Sequence, residues 1–136
     1  MCSSHHSCSS GQKGLDSMRM ILKALLINFT TQAEAVETVL TGTVTHVRDG
    51  DTIEVNNVPI RLAALDCPER GTRDGDYASM IAKQFQGLQA TCEFTGAKTY
   101  DRLVGYCEIN GADFGRYMME NSACRAWEKY DVWDRY

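Results

Sequence analysis

The chain has 136 residues, of which 43% are hydrophobic and 24% are charged, with a formal net charge of −4. This length predicts one domain with one small hydrophobic core, and no apolar stretch is long enough to span a bilayer. Proteins that hold nucleic acids by charge alone are usually basic, so the acidic balance counts against a general electrostatic grip on DNA or RNA. It still allows a cleft in which a metal ion and a few arginines supply a local positive field.

Residues 1–35 are expected to lie outside the folded domain, which occupies residues 36–136. Met1–Ser17 is rich in Ser, Gly, Cys and His and is similar to an affinity-tag leader. Met18–Ala35 has the order of a weak signal peptide: two basic residues, a short apolar run and a final Ala-Glu-Ala. We therefore expect a secreted or periplasmic protein, with a cytoplasmic location as the alternative. Without 3 of its 14 basic and 2 of its 18 acidic residues, the domain keeps 11 and 16, a net charge of −5.

Five segments after residue 36 have the β-branched composition and the turn-rich borders of strands. They are Leu40–Val47, Thr52–Val55, Val58–Leu65, Ala90–Thr95 and Leu103–Ile109. Asn56 and Asn57 join the second segment to the third, because both residues tolerate the positive φ of a tight turn. The last two segments are expected to form a hairpin that closes near residues 97–99.

Two helices are predicted among these strands. The first starts from an Asp76 cap and runs to about Leu88. Its apolar residues recur at helical spacing and are expected to face the core; they are Tyr77, Ile81, Phe85 and Leu88. The second starts after an Asp113 cap and ends at Asn121. A helix after the third strand and another after the fifth are compatible with an OB-type barrel, although periodicity alone fits other small α+β arrangements equally well.

The C-terminal segment, residues 123–136, is rich in aromatic side chains. These are Trp127, Tyr130, Trp133 and Tyr136. Packing against the core or the edge of a cleft is the commoner role of such a segment. The alternative is that nucleic-acid bases stack on the rings, as they do in proteins that bind single strands.

Four cysteines follow residue 36, and only two of them can be paired from the sequence. Cys92 and Cys107 lie on the two arms of the predicted hairpin, where positions opposite each other are close enough for a disulfide. The alternative is two buried thiols. The disulfide is favoured in an exported protein and the thiols in a reducing cytosol. Cys67 and Cys124 cannot be paired from the sequence, and no spacing resembles a zinc site.

Acidic residues lie at the ends of the central strands, and Arg61 lies inside one of them. The acids are Asp49, Asp51, Asp66 and Glu69. Ends of adjacent strands meet at one rim of a small sheet or barrel, so these carboxylates can converge, and a cation would then hold them together. Ligands that are all oxygen suit Ca²⁺. The alternative is that Asp-Gly is turn chemistry and the other acids are a solvated surface, which composition alone favours.

Three motifs follow one another in this region. They are Asp49-Gly50-Asp51-Thr52, then Arg61-Leu62 with Asp66-Cys67-Pro68-Glu69, then Tyr100-Asp101-Arg102. In this order they resemble the staphylococcal nuclease (thermonuclease) family, whose pattern is Asp-Gly-Asp-Thr, Arg-Leu…Asp-x-Pro-Glu and Tyr-Gly-Arg. The resemblance covers roughly residues 41–130, and it implies a five-stranded OB barrel with two or three packed helices over residues 36–136.

The resemblance also implies a role for each acid. Asp51 and Asp66 match the family's Ca²⁺-ligating aspartates, and Cys67 offers a backbone carbonyl to the ion at a position usually occupied by Thr. Glu69 matches the carboxylate that orients or deprotonates the attacking water. Asp49 matches a nearby acid that supports the site from outside the ligand set or serves the turn.

The basic and aromatic residues of the motifs match the substrate contacts of the family. Arg61 and Arg102 match the two arginines that clamp the phosphate, a task for which the forked guanidinium is suited. Tyr100 matches a tyrosine that lines the nucleotide pocket, and Lys98 is a weaker candidate for a phosphate contact. Asp101 stands where the family usually has Gly, so it either pairs with Arg102 or projects outward.

These matches imply a Ca²⁺-dependent endonuclease that hydrolyses DNA and RNA with low sequence specificity, leaves 3′-phosphates and prefers single strands. We expect a monomer that binds no membrane. One alternative is a catalytically inactive OB-fold module that binds single-stranded nucleic acid; another is a small structural domain whose acids are merely solvated. A pure binder needs no acids facing phosphate, so the acids retained beside two arginines argue against the first alternative.

Overall fold

The structure is a computed structural model and describes residues 38–136. The leader and signal-like segment expected in residues 1–35 lie outside the described residues and stay predictions. The described chain is mostly β, with two α-helices and eight strands. The strands are β1 Val39–Asp49, β2 Thr52–Val55, β3 Val58–Leu62, β4 Leu65–Asp66, β5 Gln89–Thr99, β6 Arg102–Ile109, β7 Ala112–Asp113 and β8 Arg125–Ala126. The helices are α1 Arg73–Lys83 and α2 Phe114–Asn121, and a 3₁₀ turn follows at Glu128–Tyr130.

Five of these strands form a ring of pairings. β3, β2, β1, β5 and β6 follow one another as antiparallel neighbours, and β3 also pairs with β6 in parallel, with Arg61 opposite Val104. Because the two outer strands of the set pair with each other, neither is left as a long open edge. β7 continues from β6, while β4 and β8 form a separate two-stranded ribbon. A mostly β arrangement with two packed helices is therefore confirmed for residues 38–136.

The hydrophobic core fills the ring and extends to both helices. Inward-facing strand residues such as Val44, Ile53 and Ile60 are almost completely buried. Phe85, which follows α1, packs edge-on against Phe114 of α2, with their ring centroids 5.1 Å apart. Aromatic pairs of this geometry contribute about 0.5–1.5 kcal/mol beyond the area that they bury. The pair therefore links the two helices through the core.

The third strand ends at Leu62, whereas the sequence predicts that it continues to Leu65. Ala64 has a φ of 55°, a left-handed conformation that turns the chain away from the line of β3. Leu65 and Asp66 then pair with β8 and no longer with the main sheet. The turn matters for the site because it sets the direction in which the Asp66 segment leaves β3.

The β5–β6 hairpin closes at Tyr100 and Asp101, so the predicted turn at residues 97–99 is wrong. Both arms are longer than predicted, and their pairing shifts register between Phe94 and Lys98. Gly96, with a φ of 88°, lies inside this irregular stretch. A bulge therefore lies just before the predicted turn, and the tight turn falls at Tyr100 and Asp101.

The first helix begins earlier than predicted, because Thr72 and not Asp76 is its N-cap. The Thr72 hydroxyl accepts a hydrogen bond from the Gly75 amide at 3.1 Å. Asp76 lies in the first turn, where its carboxylate accepts the Gly71 amide at 2.9 Å. Of the predicted core stripe, Ile81 and Phe85 are buried, whereas Tyr77 and Leu88 are exposed. The helix also ends at Lys83 and not at about Leu88, so Phe85 and Leu88 lie beyond the helical repeat on which the predicted stripe was based.

The second helix begins after Asp113 and ends at Asn121, as the sequence predicts. Asp113 is the N-cap, and its carboxylate accepts the Arg116 amide at 2.9 Å. Phe114 and Met118 face the core and are fully buried. Among residues 38–136, no helix is both long and apolar enough to cross a membrane.

Two disulfides cross-link the described chain. Cys92 and Cys107 lie directly opposite each other on β5 and β6 and are bonded, which is the pairing that the sequence favoured for an exported protein. Cys67 and Cys124, which the sequence left unpaired, form the second bridge. This bridge ties the segment after β4 to the start of β8, and thus fastens the region of Asp66 to the C-terminal part of the chain.

Candidate active site

Asp51 lies at the centre of the polar groups that the three motifs bring together. Its side chain is 14% exposed, and its Oδ2 is 3.2 Å from Nη2 of Arg61. The same oxygen accepts the backbone amide of Cys67 at 3.3 Å, while Oδ1 accepts the Thr52 hydroxyl at 3.3 Å. The Asp49 carboxylate accepts the Asp51 amide at 3.1 Å. Residues from the first two motifs therefore meet at this aspartate.

The positive charge near Asp51 does not fully compensate for its burial and for the neighbouring carboxylate. Burial raises the pKa of Asp51 to about 6, the guanidinium of Arg61 opposes this rise, and the carboxyl group of Asp49 adds to it. A carboxylate whose pKa is raised beside an arginine is insufficiently neutralised by its surroundings. A cation placed against these oxygens would favour the ionised form.

Arg61 is held by backbone carbonyl groups as well as by Asp51. Its Nη1 donates to the carbonyl oxygens of Leu65 at 2.8 Å and Leu62 at 3.0 Å, and more weakly to that of Asp51 at 3.4 Å. The turn after β3 supplies two of these carbonyls, so the same backbone that redirects the chain also orients the guanidinium. A side chain fixed in this way loses little further freedom when it meets a ligand.

Arg102 reaches the same centre through one hydroxyl group. Its Nη1 donates to Oγ1 of Thr52 at 3.0 Å, and that hydroxyl in turn donates to Asp51. Thr52 is 1% exposed, so this bridge is shielded from water. Asp101, which the sequence placed either against Arg102 or pointing outward, instead pairs with Arg48 at 3.0 Å.

Asp66 is the last residue of β4, and Glu69 lies on the loop that starts at Cys67, but the side chain of neither is drawn into the cluster. Both residues are exposed, and no ion pair within residues 38–136 involves either of them. Nor does any group of three or more His, Cys, Asp or Glu side chains in that part of the chain form a metal-binding set. The loop is nevertheless anchored at the centre, because the Cys67 amide contacts Asp51.

The backbone of Glu69 is fixed by the start of α1. Its carbonyl accepts the Thr72 hydroxyl at 2.7 Å. Gly75 packs so closely on this carbonyl that a Cβ atom at Gly75 would overlap it. On the other side, Nη1 of Arg70 donates to the carbonyl of Arg48 at 3.1 Å. The loop that carries Glu69 is therefore clamped between α1 and β1.

The residues present fit a divalent cation by their chemistry, though they do not form a complete cage. Asp49 and Asp51 provide adjacent carboxylates, one with a raised pKa, and every candidate donor is an oxygen, as Ca²⁺ prefers. Cys67 can contribute only its backbone carbonyl, because its sulfur is bonded to Cys124. Asp66 and water would have to supply the other ligands.

A cavity of about 350 Å³ opens beside Arg61. Lys98 lines it, as do Trp127 and Tyr130, whose rings meet edge to face with centroids 4.5 Å apart. Tyr100 does not line it; its ring is 95% exposed and lies 5.8 Å from the Arg102 guanidinium. The three motifs do not include Trp127 or Tyr130, but both belong to the aromatic-rich C-terminal segment for which the sequence offers base stacking as an alternative.

β8 carries this aromatic wall to the cavity. β8 pairs with β4, and the amide of Trp127 donates to the carbonyl of Ala64 at 2.7 Å. The turn at Ala64 thus has two effects: the carbonyls that flank it orient Arg61, and the Ala64 carbonyl fixes the backbone of Trp127 near the same opening. The site therefore consists of a carboxylate–arginine cluster beside an apolar cleft with aromatic walls.

Comparison with known proteins gives relatives with two kinds of name, a succinoglycan biosynthesis protein and uncharacterized endonucleases. No protein-family model matches the chain. The chain is 33% identical over 129 residues to the succinoglycan biosynthesis protein ExoI of Rhizobium meliloti, covering 85% of this chain and 65% of that protein. It is 30% identical over 97 residues to an uncharacterized endonuclease of Escherichia coli O157:H7 and to one of Escherichia coli, covering 67% of this chain and 63% of each relative. The chain thus spans a little under two thirds of these relatives.

Two of these three relatives are named as endonucleases, and none is named as a staphylococcal nuclease. The similarity is therefore to proteins that carry these names, and it does not specify the staphylococcal nuclease family.

Proposed function

We propose that this chain is a metal-dependent nuclease that hydrolyses phosphodiester bonds in DNA and RNA. The observation that carries the proposal is the contact of Asp51 with Arg61 at 3.2 Å and, through Thr52, with Arg102. Acids and arginines held together beside a cleft suit a substrate that is itself an anion, because the arginines can bind phosphate while the acids hold a cation. The endonuclease names of two relatives agree with this reading.

The scaffold in this proposal is an OB-type barrel of the staphylococcal nuclease family. The closed ring of five strand pairings supports a barrel, since an open sheet would leave β3 and β6 unpaired on one side. The two helices and the position of the three motifs on one rim are consistent with the resemblance found in the sequence.

In the proposed reaction the two arginines bind the phosphate that is cleaved. Arg61, locked by the carbonyls of the Leu62–Leu65 turn, presents its remaining donors with little loss of entropy. Arg102 would release Thr52 or share it when a phosphate oxygen arrives. Donors of this kind stabilise the extra negative charge that develops on the phosphate oxygens in the transition state.

Glu69 is proposed to accept a proton from the attacking water at its carboxylate. Its exposure leaves that carboxylate free to face a bound substrate, and α1 fixes its backbone through Thr72 and Gly75. Asp51, Asp66 and the carbonyl of Cys67 are proposed to hold Ca²⁺. A bound divalent ion supplies positive charge that offsets the phosphate and makes the water easier to deprotonate.

The cavity beside Arg61 is proposed to receive a nucleotide of a single strand. Its apolar floor and the rings of Trp127 and Tyr130 suit the face of a base, and every base has such a face, so sequence preference would be low. Lys98 can meet a neighbouring phosphate at the rim. Tyr100, exposed at the hairpin tip, would contact the strand outside the cavity.

The finer properties rest on the family resemblance. We propose cleavage that leaves a 3′-phosphate, a monomeric enzyme that does not bind a membrane, and a secreted or periplasmic location. The location is supported by the two disulfides, Cys67–Cys124 and Cys92–Cys107, because such bonds persist in oxidising compartments.

A catalytically inactive module that binds single-stranded nucleic acid is the second candidate. Two observations favour it. Asp66 and Glu69 are exposed, and residues 38–136 contain no cluster of three or more Asp, Glu, His or Cys residues that could hold a metal ion. Such a module would use the aromatic cleft and the arginines but would not cleave.

The deciding experiment incubates the purified protein with heat-denatured DNA in Ca²⁺ or in chelator and follows the length of the products. We expect degradation in Ca²⁺ and none in chelator. Binding of the same DNA without any shortening in Ca²⁺ would favour the inactive module. A protein that neither binds nor shortens the DNA would contradict both candidates.

A further inference from the structure

Arg48 lies at an irregularity of β1 that changes the direction of its side chain. Along the β1–β2 pairing, Val47 faces Ile53 and Asp49 faces Thr52, so Arg48 is an extra residue with no partner across the ladder. Such a bulge bends the strand locally and re-aims the side chain of the inserted residue. Bulges of this kind are common next to active sites, and this one immediately precedes the Asp49-Gly50-Asp51 turn.

The re-aimed guanidinium of Arg48 bridges two acids from different parts of the fold. Its Nε is 2.8 Å from Oε1 of Glu54 on β2, and its Nη1 is 3.0 Å from Oδ2 of Asp101 at the tip of the β5–β6 hairpin. Its backbone carbonyl accepts the side chain of Arg70, next to Glu69. Arg48 therefore ties together β2, the hairpin tip and the loop after β4.

Asp101 is adjacent in sequence to Arg102, and its charge could bind either arginine. In the structure the hydrogen bond from Arg48 is the main reason that the pKa of Asp101 lies below its usual range, and the charge of Arg102 contributes least. Arg102 meanwhile donates to Thr52. The carboxylate of Asp101 is thus already engaged, and Arg102 remains directed toward the Asp51 centre.

We propose that Arg48 is a positioning residue, which holds the carboxylate of Asp101 away from Arg102 and so keeps the Arg102 guanidinium available for phosphate. This inference rests on the proposed nuclease function. The charge of the adjacent Arg102 already acts on the Asp101 carboxylate, so without Arg48 we expect that carboxylate to turn to Arg102. An arginine engaged by an internal acid binds phosphate less well. The Arg48–Asp101 pair is exposed, so the effect should be moderate and should weaken as salt screens all of these charges.

The test is a double-mutant cycle with Arg48→Ala, Asp101→Asn and the double variant, assayed on heat-denatured DNA with Ca²⁺ at low ionic strength. We expect Arg48→Ala to lower kcat by about tenfold with a smaller change in KM, since the loss lies in phosphate stabilisation. Asp101→Asn alone should stay near the wild type, and the double variant should recover most of the lost rate. Arg116→Ala, which removes an exposed guanidinium on α2, is the matched control.

The cycle separates positioning from a general attraction of substrate by charge. If Arg48 acts only by attracting the polyanion, its loss raises KM and Asp101→Asn has the same effect in both backgrounds. That additive result, or an unchanged kcat in Arg48→Ala, would overturn the inference. An inactive wild-type protein would instead contradict the proposed nuclease function.

A second readout needs no catalysis. The ¹H–¹⁵N NMR signal of the Arg102 side chain, recorded without substrate or metal, should shift in Arg48→Ala and return toward its wild-type position in the double variant. Melting temperatures of all variants identify any that are unfolded. A signal that does not move in folded Arg48→Ala would overturn the inference whatever the activity of the protein.

Discussion

The carboxylate of Asp51 and the guanidinium of Arg61 lie 3.2 Å apart, each largely shielded from water. The pair joins the turn after β1 to the C-terminal end of β3, and it is the contact around which the other polar groups collect. Burial nevertheless leaves the pKa of Asp51 raised, to about 6, so a single arginine does not neutralise the acids there. This residual cost is what a bound cation would relieve.

The first prediction follows from that cost. The pKa of Asp51 is higher in the folded protein than its ordinary value of 3.8, so the ionised form is penalised on folding, and stability falls as the pH rises through about 4 to 6. Asp51→Asn should therefore raise the melting temperature of the chelator-treated protein at pH 8 and change it little at pH 3.5. Thermal unfolding at the two pH values measures this. An equal shift at both would show that the carboxylate charge is not the cause.

The second prediction concerns the forked contacts of Arg61. Arg61→Lys keeps a positive charge near Asp51 but loses the paired donors and two of the carbonyl contacts. We expect kcat to fall about 10²-fold while the protein stays folded, because an ammonium group lacks the two parallel, coplanar N–H donors that match two oxygens of one phosphate. Steady-state cleavage of denatured DNA and circular dichroism provide the measurements. Full activity in Arg61→Lys would mean that charge alone suffices at this position.

The third prediction compares two glycines near the starts of the two helices. A Cβ at Gly75 would overlap the backbone carbonyl of Glu69, which cannot yield without moving the loop. A Cβ at Gly115 would meet only the ring and hydroxyl of Tyr136, a side chain that can rotate. Gly75→Ala should lower both the melting temperature and the cleavage rate, whereas Gly115→Ala should lower the melting temperature at most.

In ordinary helix positions Gly→Ala stabilises a protein by about 0.5–1 kcal/mol. A lower stability of Gly75→Ala would therefore be opposite to the change that helix propensity predicts. Unaltered activity of Gly75→Ala would indicate that the position of the Glu69 loop is unimportant for cleavage.

The fourth prediction separates the two disulfides. Cys67–Cys124 closes 57 residues and anchors the candidate metal loop, and Cys92–Cys107 closes 15 within one hairpin. Removing either should cost about 2–5 kcal/mol, with the longer loop costing about 1 kcal/mol more in the loop-entropy account. Cys67→Ser/Cys124→Ser should also lose activity below its melting temperature, because Gly50 packs against Cys67 and the site would loosen.

Cys92→Ser/Cys107→Ser is the matched control and should keep its rate where it is folded. Denaturant titrations and cleavage assays at the same temperature distinguish the two effects. Equal loss of activity in both variants, at equal stability, would argue against a specific role of the Cys67–Cys124 bridge.

The sequence revealed features that depend on local patterns. Asp113 followed by an apolar helical repeat correctly located α2, and the opposed positions of Cys92 and Cys107 suggested their bridge. Thr72 and Asp76 are both good caps, and in the structure Thr72 takes the role, with Gly75 packed on the backbone that precedes the helix. Local propensity cannot choose between them.

The features that the sequence missed depend on long-range geometry. The partner of Cys67 is 57 residues away, and it becomes visible only when β4 and β8 pair. The same pairing brings Trp127 to the cavity beside Arg61. Asp101 could have paired with its neighbour in sequence, and a bulge at Arg48, invisible in the residue pattern, supplied another partner.

The most direct test of the account compares cleavage and binding of one fluorescent single-stranded oligonucleotide by the wild type, Glu69→Gln and Glu120→Gln in Ca²⁺. Glu120 is an exposed acid on α2 and serves as the matched control. We expect Glu69→Gln to lose about 10²–10⁴-fold in rate while binding the oligonucleotide as the wild type does, and Glu120→Gln to behave as wild type. Binding by the wild type with no cleavage at any Ca²⁺ concentration, or full cleavage by Glu69→Gln, would contradict the proposed mechanism.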